Sequence, residues 1–471
     1  MTHSPSKIFG IPSAILAALH IAFATIALVA CSNSEPVGFD IDGTAIVHCK
    51  DTNTTFSPTQ IDSFPSIDSI DTHEVVCDTI SEYLPLDDSE YPYVGIPRII
   101  IETEKHQAII DQETEIPAKL QIWGEKTPES EIMELTIRGR GNTSWNLSKK
   151  SYKIEFIEKQ TLLGMPKDRD WALIANHLDT TMIRNYIANY ISKISNISYT
   201  PRNQFVELFL NGKYKGTYQL YETLKISKSR INIGKGNFLL EVDNHPKSKD
   251  VSFNVNHISH PIKIHSASIT KNDPEYNYVQ KEINNIDSLL FSDFFLNEES
   301  GYKNYIDIDA LAEWYVITEI TKNASSINNW YMTYEKNGKL KMGPFWDYDL
   351  AFGNTLWGLT ANDISGLWMD TIPWFKQFIQ DSIFKKKTMV RFSYFYSQKE
   401  TILDEVNKIS QTLMQAIIHN EKLWNLLDCS SCSSNDILKK YDKHVTRMEQ
   451  WLIQRMDWLK QNIFYEESVH N

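Results

Sequence analysis

Apolar and polar residues alternate with a period of two in several stretches between residues 98 and 222, as they do in strands with one covered face. Lys119-Leu-Gln-Ile-Trp123, Glu134-Leu-Thr-Ile-Arg138 and Ser151-Tyr-Lys-Ile-Glu-Phe156 follow this rule, the last with Tyr152, Ile154 and Phe156 on one face. Arg98-Ile-Ile-Ile-Glu102 reads as a short buried strand. Two Asn-Gly pairs predict hairpins: Asn211-Gly212 joins 205–210 to 213–221, and Asn337-Gly338 joins 330–335 to 339–346. Elsewhere the spacing is helical. Ile183, Ile187, Tyr190, Ile191 and Ile194 share one face of a helix whose expected N-cap is Asp179. Asp309 is expected to cap a helix over 310–322, and Tyr441, Val445, Met448, Leu452 and Leu459 predict one amphipathic helix within 436–463. There is no internal repeat. The class that follows is α+β, with mostly antiparallel sheet and a helical C-terminal part.

The N-terminus sets the expected compartment. Lys7 precedes an apolar run over 8–30 that ends Leu28-Val-Ala-Cys31, followed by Ser-Asn-Ser-Glu-Pro36. A basic residue, an apolar stretch and small residues before a break make a secretory signal. Leu-Val-Ala-Cys resembles the bacterial lipobox, so residues 1–30 read as a lipoprotein signal peptide and Cys31 as the site of lipid attachment. The alternative is a plain transmembrane anchor, since about 20 apolar residues span a bilayer. In both cases the rest of the chain is expected outside the cytoplasm, membrane-anchored on the periplasmic face or the cell surface. Residues 31–91 read as an acidic, Ser/Thr-rich tether: between 50 and 90 there are ten acidic residues and one Lys, a stretch that repels itself and buries little. The folded domain is expected over 92–466, sheet-rich over 92–240 and mixed to helical over 241–466.

Composition narrows the function classes. The 471 residues are 42% apolar and 23% charged, enough for a packed core. A net charge of −13 with no long Lys/Arg run argues against general nucleic-acid binding. An exported chain is free to oxidise Cys49, Cys77, Cys429 and Cys432. Cys429-Ser-Ser-Cys432, in a Ser-rich loop, reads as a local disulfide or two free thiols rather than a redox motif or half a zinc site. His257, His260 and His265 lack a ligand spacing. Trp357, Trp368 and Trp374 read as core, with a carbohydrate or peptide platform as the other reading. No G-x-S-x-G, H-E-x-x-H or Walker-type motif occurs.

Three segments carry candidate chemistry. In Phe345-Trp-Asp-Tyr-Asp-Leu-Ala-Phe-Gly353, an extended backbone would put Asp347 and Asp349 on one face and Trp346, Tyr348 and Leu350 on the other. Two adjacent carboxylates favour a hard cation such as Mg²⁺, Mn²⁺ or Ca²⁺; solvated or turn-bonded aspartates are the alternative. An EF-hand is excluded, because Ala351 stands at its third acidic position. In Ile137-Arg-Gly-Arg-Gly-Asn-Thr-Ser-Trp145, Gly139 and Gly141 permit tight turns with N–H groups facing outward, and Arg138 and Arg140 suit phosphate. Lys149, Lys150 and Lys153 follow, so the segment is either a nucleotide cradle or a hairpin with a basic surface. Glu222, at the end of a hairpin strand, is a polar cap or the ion-pair partner of a phosphate-binding Lys. Asp179, Arg184 and Asn185 read as a cap and a helix face unless context makes them site residues.

Together these segments resemble the CotH kinase family, the atypical protein kinases of the spore-coat type that also occur as secreted bacterial lipoproteins. The resemblance rests on Ile137–Trp145 with Lys150-Ser-Tyr-Lys-Ile-Glu-Phe156, Asp179-Thr-Thr-Met-Ile-Arg-Asn185, Val206-Glu-Leu-Phe-Leu-Asn-Gly-Lys-Tyr-Lys-Gly-Thr-Tyr218, Gly343-Pro-Phe-Trp-Asp-Tyr-Asp-Leu-Ala-Phe-Gly-Asn354, and Arg447, Trp451, Arg455 and Trp458 near the C-terminus. It implies a divergent protein-kinase-like fold that binds ATP with Mg²⁺, or Mn²⁺, and phosphorylates Ser or Thr of exported proteins. It also implies that Arg138, Gly139, Arg140, Gly141 and Asn142, with Lys150 and Lys153, meet the phosphates. Lys153 would then be the phosphate-contacting Lys with Glu222 as its partner, Asp347 and Asp349 would carry the metal, and Asn328 would be a metal-side amide. One departure stands out. Where family members often carry an Asp as catalytic base upstream of the W-D-x-D segment, this chain reads Lys322-Asn-Ala-Ser-Ser-Ile-Asn-Asn-Trp330, with Asn323 or Ser325 in its place. Loss of a positioned base slows phosphoryl transfer without forbidding it. The same resemblance therefore also fits a catalytically degenerate scaffold of the cell envelope.

Overall fold

The period-two stretches become the staves of a barrel. The computed structural model describes residues 83–266, 268–355 and 360–464, and separately a two-residue ladder of Gly38–Phe39 with Ala45–Ile46. The proposed signal peptide, Cys31, Cys49, Cys77, Trp357 and most of the proposed tether lie outside the described residues.

Seven strands form the barrel: β1 (Arg98–Thr103), β2 (Ile116–Trp123), β3 (Met133–Arg140), β4 (Ser151–Leu162), β5 (Met165–Ile174), β6 (Asn203–Leu210) and β7 (Lys213–Glu222). Their order is β1-β2-β3-β4-β5-β7-β6, and β6 closes the ring by pairing parallel with β1, Arg98 opposite Glu207 and Ile101 opposite Leu210. The expected mostly antiparallel sheet is found, but it closes into a barrel through one parallel seam. Alternation along a strand reports which face is covered, and carries no information on whether the first strand meets the sixth. Inward residues such as Ile99, Leu120, Ile137, Phe156, Trp171, Leu173 and Leu220 fill the barrel, and closure leaves no exposed edge. The Asn211-Gly212 hairpin forms as its sequence demands, with both residues at positive φ (+53° and +67°).

A second, wholly antiparallel sheet has the order β9-β10-β8-β11-β12, built from β8 (Phe238–Val242), β9 (Ser252–Phe253), β10 (Ile262–Ile264), β11 (Trp330–Tyr334) and β12 (Leu340–Met342). Seven helices complete the described residues: α1 (Arg184–Lys193), α2 (Pro274–Leu290), α3 (Ile308–Thr321), α4 (Pro373–Phe378), α5 (Ser382–Ser397), α6 (Lys399–Trp424) and α7 (Ser434–Asn462). The α7 helix matches the apolar spacing read from the sequence, with Tyr441, Val445, Met448, Leu452 and Leu459 buried and Ser433 as its N-cap.

Both expected caps are corrected. Asp307, not Asp309, accepts the first N–H groups of α3, from Asp309 and Ala310. Asp309 lies in the first turn and pairs with Lys387. Helix α1 starts at Arg184, and Asp179 sits in the turn before it, accepting from the backbone N–H groups of Thr181 (2.9 Å) and Arg184 (2.8 Å). Cys429 and Cys432 form a local disulfide. Trp368 and Trp374 are core residues: Trp374 donates to Asp287 Oδ1 (2.7 Å) and Trp368 to the Asn323 carbonyl (2.8 Å), so neither is free to make a platform.

Two buried cations join the parts. Lys149 donates to the Thr217 carbonyl on β7 and to Asn420 Oδ1 on α6 (2.8 Å), tying the barrel to the helices. Arg455 on α7 pairs with Glu319 on α3 (2.8 Å), and Glu319 also accepts from the N–H groups of Trp368 and Met369.

Candidate functional site

The ladder of β12 stops at Met342 because Gly343 turns to φ +102° and Pro344 has no N–H to give. The following segment is not extended: Asp347 lies in the left-handed region at φ +67°, a conformation short polar residues tolerate. The expectation of two aspartates aligned by strand alternation is therefore corrected; a kinked loop brings them to one place. Tyr348 and Leu350 do enter the core. Trp346 does not, and lies half-buried against Tyr221 (ring centroids 5.1 Å apart) with the Arg140 guanidinium 5.0 Å above its ring.

Side chains from α1 and from the turn after α3 hold the loop by its backbone. Asn323 Nδ2 donates to the Asp347 carbonyl (3.0 Å), and Asn185 Oδ1 accepts from Tyr348 N (2.7 Å). Arg184 Nε donates to the Ala351 carbonyl (3.0 Å) while its Nη1 pairs with buried Asp179. Asn354 closes the loop on itself, Nδ2 to the Asp349 carbonyl (2.6 Å). The main chain is thus pinned while the two carboxylates are left free of side-chain donors.

Asp347 and Asp349 open into a cavity of about 60 Å³. The barrel contributes Arg140 from β3, Ser151 from β4 and Tyr221 from β7. Ser144 and Lys149 come from the turn after β3, Asn176 and His177 from the segment after β5, and Asn185 from α1. Asn185 Nδ2 donates to Asn176 Oδ1 (3.1 Å), whose own Nδ2 reaches Gln219 (3.2 Å), so this wall is a fixed amide chain.

The charges here are in conflict. Loss of water, then the like charges of Asp347 and Asp179, raise the Asp349 carboxyl well above the ordinary range. The surrounding protein pushes Asp347 the same way, Arg140 opposes it, and Glu241 adds to it. The larger effect falls on Asp349, where two like charges add to the loss of water and no cation opposes it. The Arg140 guanidinium is weakened by loss of water, and Asp347 is the strongest charge supporting it. Among the described residues Arg140 makes no side-chain hydrogen bond or ion pair. Two repelling oxygen ligands beside an uncommitted guanidinium fit a divalent cation with a phosphate. Mg²⁺ is commonly held by one or two carboxylates together with phosphate oxygens and water. That mode does not need the larger cage of His, Cys, Asp and Glu that the described residues lack.

The other residues named from the sequence are placed elsewhere. Lys153 pairs with Glu155 (2.8 Å) and Asp170 (3.2 Å) and lines a separate cleft of about 450 Å³ with Lys225, Lys263 and His265. Glu222 is fully buried, accepting from Tyr199 (2.8 Å) and Arg202 (2.9 Å) with Arg230 at 3.3 Å. The expected Lys153–Glu222 pair is not formed, because each is neutralised by nearer partners. Arg138 donates to the Gln112 carbonyl (2.6 Å) and faces Glu115. Gly139 donates its N–H to the Asp111 carbonyl (2.9 Å) rather than outward, and a Cβ there would come within 2.4 Å of the Trp145 ring. Gly141, at φ +112°, accepts from Gln112 through its carbonyl, and Asn142 opens the short helical turn Thr143–Asn146. Lys150 is bent back onto the Trp145 carbonyl. Asn328 Oδ1 meets His260 Nε2 (3.0 Å), and His257 and His265 turn to Asp287 and Glu241.

Arg140, Asp347 and Asp349 are thus the sequence candidates that meet in one cavity, joined by Asn185 from the helix face. Sequence reasoning did not single out Asn176 and His177. Their one visible signal is position, at the end of the Trp171-Ala-Leu-Ile-Ala175 strand run, where polar residues leave a barrel wall.

The family model described as CotH kinase protein matches residues 137–459. The match covers the turn after β3, the Asp347–Asp349 loop and most of α7. A comparison with curated proteins finds no match.

Proposed function

The chain belongs to the CotH kinase family, and from that premise we propose that it is an exported, lipid-anchored protein kinase of divergent kinase-like fold. In this reading it transfers phosphoryl from ATP, with Mg²⁺ or Mn²⁺, to Ser or Thr of exported proteins. The observation that carries the reading is the convergence of Arg140, Asp347 and Asp349 on one cavity.

Asp347 and Asp349 would hold the cation, which when bound neutralises charge on the phosphate oxygens. Arg140, which stacks on Trp346 but spends no hydrogen bond on the described residues, would bind phosphate. Asn185 and Asn323 keep the aspartate backbone in register, so that little reorganisation is left for the moment of transfer. The cavity measures about 60 Å³. Pockets that enclose whole small molecules run roughly 300–1,000 Å³, so the nucleoside extends beyond it. Cys31 would carry the lipid, and the acidic stretch 31–91 would hold the domain off the membrane. No nucleic-acid partner is proposed.

A second reading, a binding scaffold without turnover, is favoured by one observation. Asn323, one of the two candidates for the place of the expected base, commits its amide nitrogen to the Asp347 carbonyl and its oxygen to the Ser325 N–H (3.3 Å).

The test is calorimetric titration of Mg·ATP into the full chain, followed by radiolabel transfer on the same sample. The kinase reading expects binding that the Asp347→Ala/Asp349→Ala double variant loses, with label on protein. Binding without label favours the scaffold. Equal binding by both proteins refutes the site.

A further inference from the structure

Transfer to a hydroxyl releases a proton, and the segment that should take it does not. Asn323 is committed as above, Ser325 has a hydroxyl, and Asn328 is turned to His260. Within the cavity, Asp347 and Asp349 are the cation's ligands on the proposed reading, and Lys149 is spent on Thr217 and Asn420.

One group in the cavity wall has no structural task. His177 lines the same cavity as the two aspartates. Its Nδ1 is buried with no hydrogen-bond partner, and its Nε2 makes no hydrogen bond to any described residue. A buried ring nitrogen left unpaired costs stability, and such atoms call for an explanation other than packing. By contrast, His257, His260, His265 and His444 each hold a partner.

We propose that His177 is the catalytic proton acceptor of this cavity, taking the role of the missing carboxylate; the inference rests on the phosphotransferase reading above. As the acceptor Ser or Thr oxygen forms its bond to the γ-phosphorus, the bond from that phosphorus to the β–γ bridging oxygen breaks and ADP departs with the electron pair. The hydroxyl proton passes to His177 Nε2, and the imidazolium then returns it to water. The surroundings suit the role. Burial, with the charges of Lys149 and Lys150, lowers the affinity of the ring for a proton, so it is neutral and ready to accept at pH 7. Arg140 and Lys149 are the basic groups of the cavity lining, and Asp347 and Asp349 are its anions.

The experiment compares the full chain with His177→Gln and His177→Ala. The expected result is Mg·ATP affinity within about twofold of the parent, which also shows that the variants fold, with transfer slowed roughly 10²-fold. The rise in rate with pH below neutrality flattens, and added imidazole restores transfer to His177→Ala. In the metal-free protein, the imidazole NMR signal lost in His177→Gln titrates below the ordinary histidine range. Transfer at the parental rate with an unchanged pH profile overturns the proposal, as does a His177 signal that titrates at or above that range. A parent chain that neither binds nor transfers overturns the phosphotransferase reading and this proposal with it, an outcome told apart by the parent control alone.

Discussion

The side-chain amide of Asn323 donates a hydrogen bond to the main-chain carbonyl of Asp347 across 3.0 Å. One of the two residues standing where a catalytic carboxylate is expected is therefore a brace for the aspartate loop. Its oxygen, its carbonyl and the neighbouring Ala324 N–H are also engaged, with Ser325, Trp368 and Leu350. A carboxylate at 323 could not donate, and would set a negative charge against the Asp347 carbonyl.

Asn323→Asp is accordingly expected to lower stability by about 1–3 kcal/mol, the cost of an unmet buried polar group. It is not expected to raise phosphoryl transfer. Urea unfolding and label transfer on the same variant check both; a gain in transfer would mean that the base position is latent.

Asp349→Asn is expected to stabilise the fold while removing metal-dependent nucleotide binding. The folded carboxyl is raised above its unfolded value, so this group favours the fold most in acid. That contribution is lost as pH rises above about 4 through the raised value. The gain from Asn, about 0.5–2 kcal/mol as for other relieved functional sites, should therefore be larger at pH 8 than at pH 5. Melting temperatures at the two pH values measure it. For the parent, Mn²⁺ affinity should increase over the same range, because the ligand must be ionised.

Arg184→Ala is expected to cost about 3–5 kcal/mol, since it strands Asp179 as a buried charge without its cation. It also releases the Ala351 carbonyl, so Mg·ATP affinity should fall with no ligand atom removed. Adding Asp179→Ala should recover part of the stability. A double variant that loses the sum of the two single losses would show that the residues do not act as a pair.

Acid sensitivity is expected from the cluster that captures Lys153. Burial works against the Asp168 charge, but Lys225, the Asp170 N–H and Arg230 outweigh it and hold the carboxyl at about 2. A depressed carboxyl contributes stability above its unfolded value near 3.8 and loses it as pH falls toward about 2. With solvent reaching Lys225 and screening the pair, Asp168→Asn should remove about 1 kcal/mol at pH 7 and little at pH 2, as read by denaturant midpoints across that range.

Gly353→Ala tests how α7 meets the loop. A Cβ at this position, where φ is +74°, would lie 2.5 Å from Trp451 Cδ1. A loss of about 1–3 kcal/mol is expected, from overpacking and strain together. Thermal melts of Gly353→Ala alone and with Trp451→Leu separate the two causes: the contact is relieved in the pair and the backbone strain is not.

The sequence by itself determined what depends on near neighbours. The strands around Ile154 and Leu220, the Asn211-Gly212 hairpin and the α7 stripe were legible because periodicity and turn chemistry act over a few residues. The ordered segments around Arg140 and Asp347 likewise sufficed for family membership. What only the tertiary structure decided depends on which distant groups come together. The parallel seam between β1 and β6 closes the barrel through residues about 110 apart in the chain. Lys153 and Glu222 were plausible phosphate-site residues until Asp170 on one side and Arg202 and Arg230 on the other reached them first. Asn323 became a brace, and His177 was left unpaired in the cavity wall, for the same reason. A charged or polar side chain takes its role from the partners the fold supplies, and those partners are written elsewhere in the chain.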